Sequence, residues 1–381
     1  MVSTNTYLQA QAQNEAMRAS YIAASKFFKV RQTNSTIVSS QQQNYQLPLT
    51  SLGLVTSIDL EFDLTITNSG TVPATLNYGA PYSFLSQISF VDQGSITRSQ
   101  LSGLSLFRLL NLTTNQNFPW GGEGVQNNGQ LVQSLDYPIL PASIPAAAGT
   151  TPGSATFTFR IQLPVSISRM NTTGAVLLQT SQNSTAANVK FTLAQLCGAP
   201  QSPFSGPSAS SVSIQTGTVS MRQNYWQPFN NATVPPLDVQ TINYLWEASQ
   251  DSTNLVAGTV KEIPLQIQYP TDIVGLTYYN GNSFTYGADM ATMEEWIGNT
   301  VINNTLPIGR YYDYRLAKGF DDLAGCYTFD YRMNPLSNQM LGTYTIKFQP
   351  ITAIAGQAWV STFYRQSRPI NPVQPQLLQA V

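Results

Sequence analysis

Apolar residues spaced by two recur in two sets along this chain, and the two sets follow the same order. In the first half Phe157, Phe159, Ile161 and Leu163 lead into a helix-like stretch at Asn171 to Gln179. Val189, Phe191 and Leu193 follow, and then Val219, Met221 and Tyr225. The second half gives Tyr327, Phe329 and Tyr331, a short helical Asn338 to Leu341, Tyr344, Ile346 and Phe348, and finally Trp359 and Phe363. A period of two puts alternate side chains on one face of a strand, so each half reads as its own packed β-sandwich.

The upstream segments run in parallel too. Ile58, Leu60, Phe62, Leu64 and Ile66 end at the turn Asn68-Ser69-Gly70, Phe84 to Val91 ends at Asp92-Gln93-Gly94, and a helix is predicted over Leu101 to Leu112. Their counterparts are Ile263, Leu265, Ile267 and Tyr269, then Val274 to Tyr279 with the turn Asn280-Gly281-Asn282, then a helix over Asp289 to Val301. This matching places strands Val55 to Thr67 and Lys261 to Tyr269 in equivalent positions. Intervals between equivalents are unequal, so the chain is a duplicated fold rather than a short-period solenoid.

The ends read differently. Ala10, Met17, Tyr21, Ala24 and Phe28 recur at steps of three and four after a Ser3-Thr4-Asn5-Thr6 start, which predicts a helix from residue 4 to about 29. It is the most basic stretch of the chain. It packs on its own domain or a neighbour, or it rests on an anionic membrane with Arg18, Lys26 and Lys29 facing the lipid. The implied plan is a helical arm over 1–32, one sandwich over 33–232, a second over 233–366 and an extended tail over 367–381. Asn230 to Asp238, with Pro235-Pro236, is the linker, and Pro369, Pro372 and Pro375 keep the tail out of any core strand.

Composition narrows the function. A chain of 381 residues exceeds one ordinary core and calls for two domains. Only 10% of residues are charged, against about 25% in an average protein, and the net charge is -1. No run of Lys or Arg offers a nucleic-acid footprint, so direct nucleic-acid binding is not expected. No apolar run has the length of a membrane span, and the start lacks a signal-peptide pattern, which predicts a chain that begins near Met1 and is made in a cytoplasm. Cys197 and Cys326 read as two buried free thiols, with a disulfide between the halves as the alternative.

The sequence contains no histidine, which removes imidazole bases, Ser-His-Asp and Cys-His nucleophiles and His-ligated zinc. Nothing in it calls for a cofactor or a metal. The one constellation that could be catalytic is Asp59, Glu61 and Asp63, which alternate with Leu60 and Phe62 and share one strand face at about 6.8 Å intervals. Paired carboxylates on a strand serve some glycosidases. The plainer reading is a charged strand face paired with Arg or Lys, Arg160 and Lys190 being candidates. Asp321-Asp322 and Glu294-Glu295 read as solvated pairs, and Tyr311, Tyr312 and Tyr314 as core and interface filling.

Taken together, the Gln/Ala-rich N-terminal helix, the two tandem sandwiches and the Pro-containing tail resemble the double jelly-roll major coat proteins of tectivirus-type, membrane-containing bacteriophages. The residues that carry the likeness are Val55 to Asn68, Ile88 to Asp92 before a helix opened by Ser102-Gly103, Thr173 to Leu177, and Gly319-Phe320 through Cys326-Tyr327. The resemblance implies an all-β chain of two eight-stranded jelly rolls and a non-enzymatic coat protein. It implies homotrimers with a pseudo-hexagonal outline, tiling an icosahedral shell over an internal membrane in the virion. Penton and minor capsid proteins would be further partners. Two rival readings are a carbohydrate-active or carbohydrate-binding β-sandwich protein and a viral spike or surface-layer protein.

Overall fold

The computed structural model describes residues 16–368 apart from 115–124, 128–129, 133–139, 179–186, 229–241, 252–253, 319–321, 337–342 and scattered positions. The predicted helix at Asn338 to Leu341, the linker Asn230 to Asp238, the chain before residue 16 and the tail after Arg368 lie outside the described residues.

The first half contributes strands β1 (Ser25–Ile37), β2 (Asn44–Pro48), β3 (Leu54–Asn68), β4 (Leu85–Val91), β5 (Thr97–Leu101), β6 (Gly153–Pro164), β7 (Asn188–Leu193) and β8 (Val212–Pro228). The second contributes β9 (Ile242–Asp251), β10 (Lys261–Leu265), β11 (Thr271–Tyr279), β12 (Met290–Ile297), β13 (Thr300–Thr305), β14 (Cys326–Asp330), β15 (Tyr344–Pro350) and β16 (Trp359–Arg368). Residues 16–23 form helix α1, α2 (Gly103–Thr114) follows β5, and α3 (Pro307–Lys318) follows β13.

The order of these sixteen strands repeats from one half to the other. The first half builds sheets β1-β8-β3-β6 and β2-β7-β4-β5, and the second builds β9-β16-β11-β14 and β10-β15-β12-β13. Each strand of the second half thus stands where the strand eight places earlier stands in the first, which is the jelly-roll arrangement written twice. The halves are joined edge to edge: β9 pairs in parallel with β5, so one eight-stranded sheet runs through both.

Alternation explains the cores. Ile58, Leu60, Phe62, Leu64 and Ile66 of β3 are all buried on one face and meet Phe84, Phe157, Phe159, Phe191 and Phe204. Each such side chain contributes roughly 1.5 to 3 kcal/mol on burial. The second core gathers Val274, Leu276, Tyr278, Met293, Ile346, Phe348 and Val360. Cys197 and Cys326 are buried and free.

Four sequence expectations fail. Helix α1 ends at residue 23 and the chain becomes β1 at Ser25, because Phe28 packs on the first core while its neighbour Phe27 meets Trp226 on the opposite face. Asp289 to Val301 is not a helix but the hairpin β12–β13. The helix of the second half is α3, begun by Pro307, a residue preorganised for a first helical position. Residues 171–178 hold no helix, and Val176–Leu177 pairs with β3. Lys261 to Leu265 therefore corresponds to β2, and the true counterpart of β3 is β11.

Candidate functional site

Asp59, Glu61 and Asp63 do share the outer face of β3, yet their surroundings differ. Asp59 is 2% exposed and accepts hydrogen bonds from Arg222 Nε and Nη2 at 3.0 and 2.7 Å and from Asn224 Nδ2 at 3.1 Å. Glu61 is half-buried between Arg31 at 3.1 Å and Arg222 at 3.7 Å. Asp63 is exposed and accepts from Thr158 Oγ1 at 3.3 Å. The cations come from β8, next to β3, and from β1 beyond it, rather than from Arg160 or from Lys190, which lies on β7 in the other sheet. A glycosidase needs one carboxyl that gives up a proton and another open to the sugar. Here Asp59 is sealed under an arginine, and the row acts as an ionic lacing across β1, β8 and β3.

The basic residues of the N-terminal segment do not form one surface. Arg18 is buried on α1, whose Tyr21 packs with Leu54, Ala175 and Trp226 over the outer face of the same sheet. Lys26 and Lys29 are exposed on β1. Three residues apart on a strand they point to opposite faces, whereas on the predicted helix they would have shared one.

Several buried ion pairs were not foreseen, among them Arg98 with Asp92 and two larger clusters. Arg108 of α2 is 1% exposed and crosses into the second half. It donates to Leu276 O at 3.0 Å, Thr277 Oγ1 at 2.8 Å and Thr328 Oγ1 at 3.0 Å, and lies 3.5 Å from Asp322 Oδ2. Its guanidinium sits over the ring of Phe363, and that ring fills the space a Cβ at Gly275 would take, 2.1 Å from Phe363 Cε1. The signal in the sequence was a lone arginine inside the apolar run Leu104 to Leu112.

The second cluster is Glu295, 1% exposed on β12. It accepts from Arg310 Nη2 at 2.6 Å, from Tyr344 Oη at 2.6 Å and from Tyr331 Oη. Burial pushes its carboxyl above the ordinary value, against the lowering pull of Arg310 and the hydroxyls. Asp322 and Glu295, read as solvated, are thus buried anchors. Tyr311 and Tyr314 are core residues as expected, and Tyr312 is 62% exposed.

A cleft of about 740 Å³ opens between loops of the two halves, lined by Asn77, Ser205, Tyr279, Phe284 and Gln357 among others, without any acidic or basic side chain. Among the described residues no group of three or more acidic, Cys or His side chains could hold a metal, and no helix is long and apolar enough to cross a membrane.

An all-β chain of two jelly rolls fused through one sheet defines a structural class, and solved structures share it. The chain is similar to the STIV MCP, with a TM-score of 0.63 at 15% identity over 93% of this chain and 100% of that one. It is similar to a chain in the atomic structure of Sulfolobus Turreted Icosahedral Virus, with a TM-score of 0.64 at 14% identity over 90% and 91% of the two chains. The PBCV-1 virus capsid gives 0.57 at 14% identity over 90% and 93%. At such identities the likeness is one of fold. No protein-family model matches the sequence, and no curated protein does.

Proposed function

We propose that this chain is the major coat protein of an icosahedral virus, three copies forming a pseudo-hexagonal block that tiles a shell over an internal membrane. One observation supports the reading: the fold of both jelly rolls is shared with proteins of solved viral particles and capsids over nine-tenths or more of each chain compared. A coat block needs rigid wedges of similar shape, and two jelly rolls locked by a shared sheet supply a pair of them. The low charge suits a surface covered by neighbouring trimers, with penton and minor capsid proteins at the shell's special positions. The protein would be made in the host cytoplasm and reside in the virion. It would act as a structural part rather than an enzyme, and a lipid layer between shell and genome would remove the need for a basic inner face.

Negative-stain microscopy of the purified protein is expected to show flat particles of pseudo-hexagonal outline. Uniform single-chain particles that cleave a polysaccharide would instead support the carbohydrate-active reading.

With Arg18 buried, the membrane contact is left to the exposed Lys26 and Lys29, which leave β1 on opposite faces and so meet one lipid surface only where it lies across the end of that strand. Each contributes up to about 1 kcal/mol near an anionic surface. Intact trimers are expected to float with anionic vesicles and not with neutral ones, and a Lys26→Gln/Lys29→Gln variant that remains trimeric to float less. Equal flotation of both proteins on anionic lipid, or none for either, rejects the membrane role.

A further inference from the structure

Of the eight methionines in the chain only two follow an arginine, Met170 and Met333. Both pairs continue into asparagine, as Arg169-Met170-Asn171 and Arg332-Met333-Asn334. The two tripeptides fall in equivalent places, the first in the connection from β6 to β7 and the second in that from β14 to β15. Methionine ordinarily fills gaps in a core, and Met221, Met290 and Met293 are buried. Met170 and Met333 are instead 70% and 100% exposed.

Each stands on a turn that the chain braces from below. Beside Met170, Ser168 donates its N–H to Asn171 O at 3.0 Å, and Asn171 N–H donates to Ser168 Oγ at 2.9 Å. The Arg169 guanidinium lies over the ring of Phe27, 4.0 Å from its centroid. Beside Met333, Arg332 donates its backbone N–H and Nε to Asp330 Oδ1 at 3.1 and 2.8 Å, and Leu336 bridges to Thr271. The braces differ. What repeats is a cation next to a bare, unbranched apolar side chain.

Strand direction brings both turns to one end of the molecule. The first connection finishes at Asn188, opposite Val91, and Val91 also faces Thr97, where β5 begins. β9 runs parallel to β5, so Ile242 starts β9 at that same end, opposite Arg368 of β16. Across β16 and β11 this end reaches Ile273, which faces Asp330 at the close of β14. The start of β1 is there too: Phe27 faces Trp226, Trp226 faces Leu54 at the start of β3, and Pro164 at the close of β6 faces Ser57.

We infer that Met170 and Met333 are paired feet that enter the interface of an anionic bilayer, each methionine reaching the acyl boundary with its arginine at the depth of the phosphates. The inference rests on the membrane contact of the coat-protein reading and gives that contact an apolar component beside Lys26. A folded partner would need two matching sites for two turns in unlike surroundings. A lipid surface has the same chemistry everywhere, so the repeated pair is all that it has to meet. Asp92, Asp272 and Asp330 at this end are each paired with an arginine, which limits their repulsion of an anionic surface.

Site-specific fluorescence tests this. Met170→Cys, Met333→Cys and Val256→Cys each carry an environment-sensitive dye, the native thiols being buried. Val256, 59% exposed, follows β9 at the opposite end of the molecule. On vesicles of phosphatidylglycerol and phosphatidylcholine, the dyes in place of Met170 and Met333 are expected to shift to the blue and to be quenched by nitroxides on the acyl chains. The dye in place of Val256 is expected to do neither. A Met170→Ser/Met333→Ser variant is expected to keep its melting temperature, since both side chains are exposed, and to bind these vesicles at least about threefold more weakly. A wild type that floats on anionic lipid while either foot stays unquenched, or a serine variant that binds as the wild type does, overturns the inference and leaves the lysine contact standing. Dyes shielded from iodide in the virion yet out of reach of acyl-chain nitroxides would give the feet to a protein partner and overturn it as well. A wild type that binds no vesicles overturns the membrane reading with it.

Discussion

An Arg108→Ala variant is expected to lose about 3 to 5 kcal/mol of unfolding free energy, the usual cost of stripping one partner from a buried charge pair. Asp322, 4% exposed, would lose the guanidinium beside it, and the carbonyl of Leu276 and the hydroxyls of Thr277 and Thr328 would lose a donor. Because Arg108 belongs to the first jelly roll and all four partners to the second, the loss falls on the seam. Urea unfolding should change from one transition to two as the halves part. Arg108→Met with Asp322→Leu removes both charges together and is expected to recover most of the lost stability, since replacing a whole buried pair by apolar groups is often neutral. An alanine variant within 1 kcal/mol of the wild type and still unfolding in one step would show that the shared sheet alone couples the halves.

The second large effect is expected at Glu295. Alanine there leaves the Arg310 guanidinium and the hydroxyls of Tyr331 and Tyr344 facing a void, at about 1 to 3 kcal/mol for each buried group left unpaired. Glutamine should behave differently. Because burial raises the folded-state pKa, the folded protein holds the proton more tightly than the unfolded chain does. The stability this group contributes is complete below the ordinary carboxylate value of 4.5 and is lost as pH rises through the folded-state value. Melting temperatures of the wild type should carry that downward slope, and those of Glu295→Gln, fixed in the neutral form, should lack it. Identical pH profiles for the two proteins would exclude Glu295 as the source.

Where the sequence could be read, one buried face per strand made it legible. β6 and β15 alternate cleanly; β8, β14 and β16 are buried on both faces over much of their length but still carry apolar residues at a spacing of two, and the repeated order of these strands stands in the structure. β12 misled because Met290, Met293, Trp296 and Ile297 fall at helical spacing. Irregularities in pairing between Met290 and Thr292 and between Glu295 and Trp296 shift the phase of the strand, and its buried Glu295 interrupts the apolar face. β1 misled for the opposite reason: Phe27 and Phe28 are covered on opposite sides, so no alternation remains to be seen. Reading β12 as a helix moved the whole upstream match by one strand, which set Lys261 to Tyr269 against β3. The carboxylate row was visible as a pattern, but its partners Arg31 and Arg222 lie on β1 and β8, nearly 200 residues apart, and only the sheet order brings them together.

The parallel seam also fixes when the molecule can finish folding. β9 lies between β5 and β16 in the shared sheet, and β16 ends at Arg368. As the chain leaves the ribosome, the first jelly roll has all its own strands by Pro228 and β9 follows by Asp251, but β16, the second neighbour of β9, is complete only at Arg368, some 140 residues after Pro228. At synthesis rates of about 5 to 20 residues per second that is an interval of roughly 7 to 28 s. During that time β9 has β5 on one side and no strand on the other. The seam is therefore the last part of the shared sheet to gain its full set of neighbours, although it lies at the middle of that sheet.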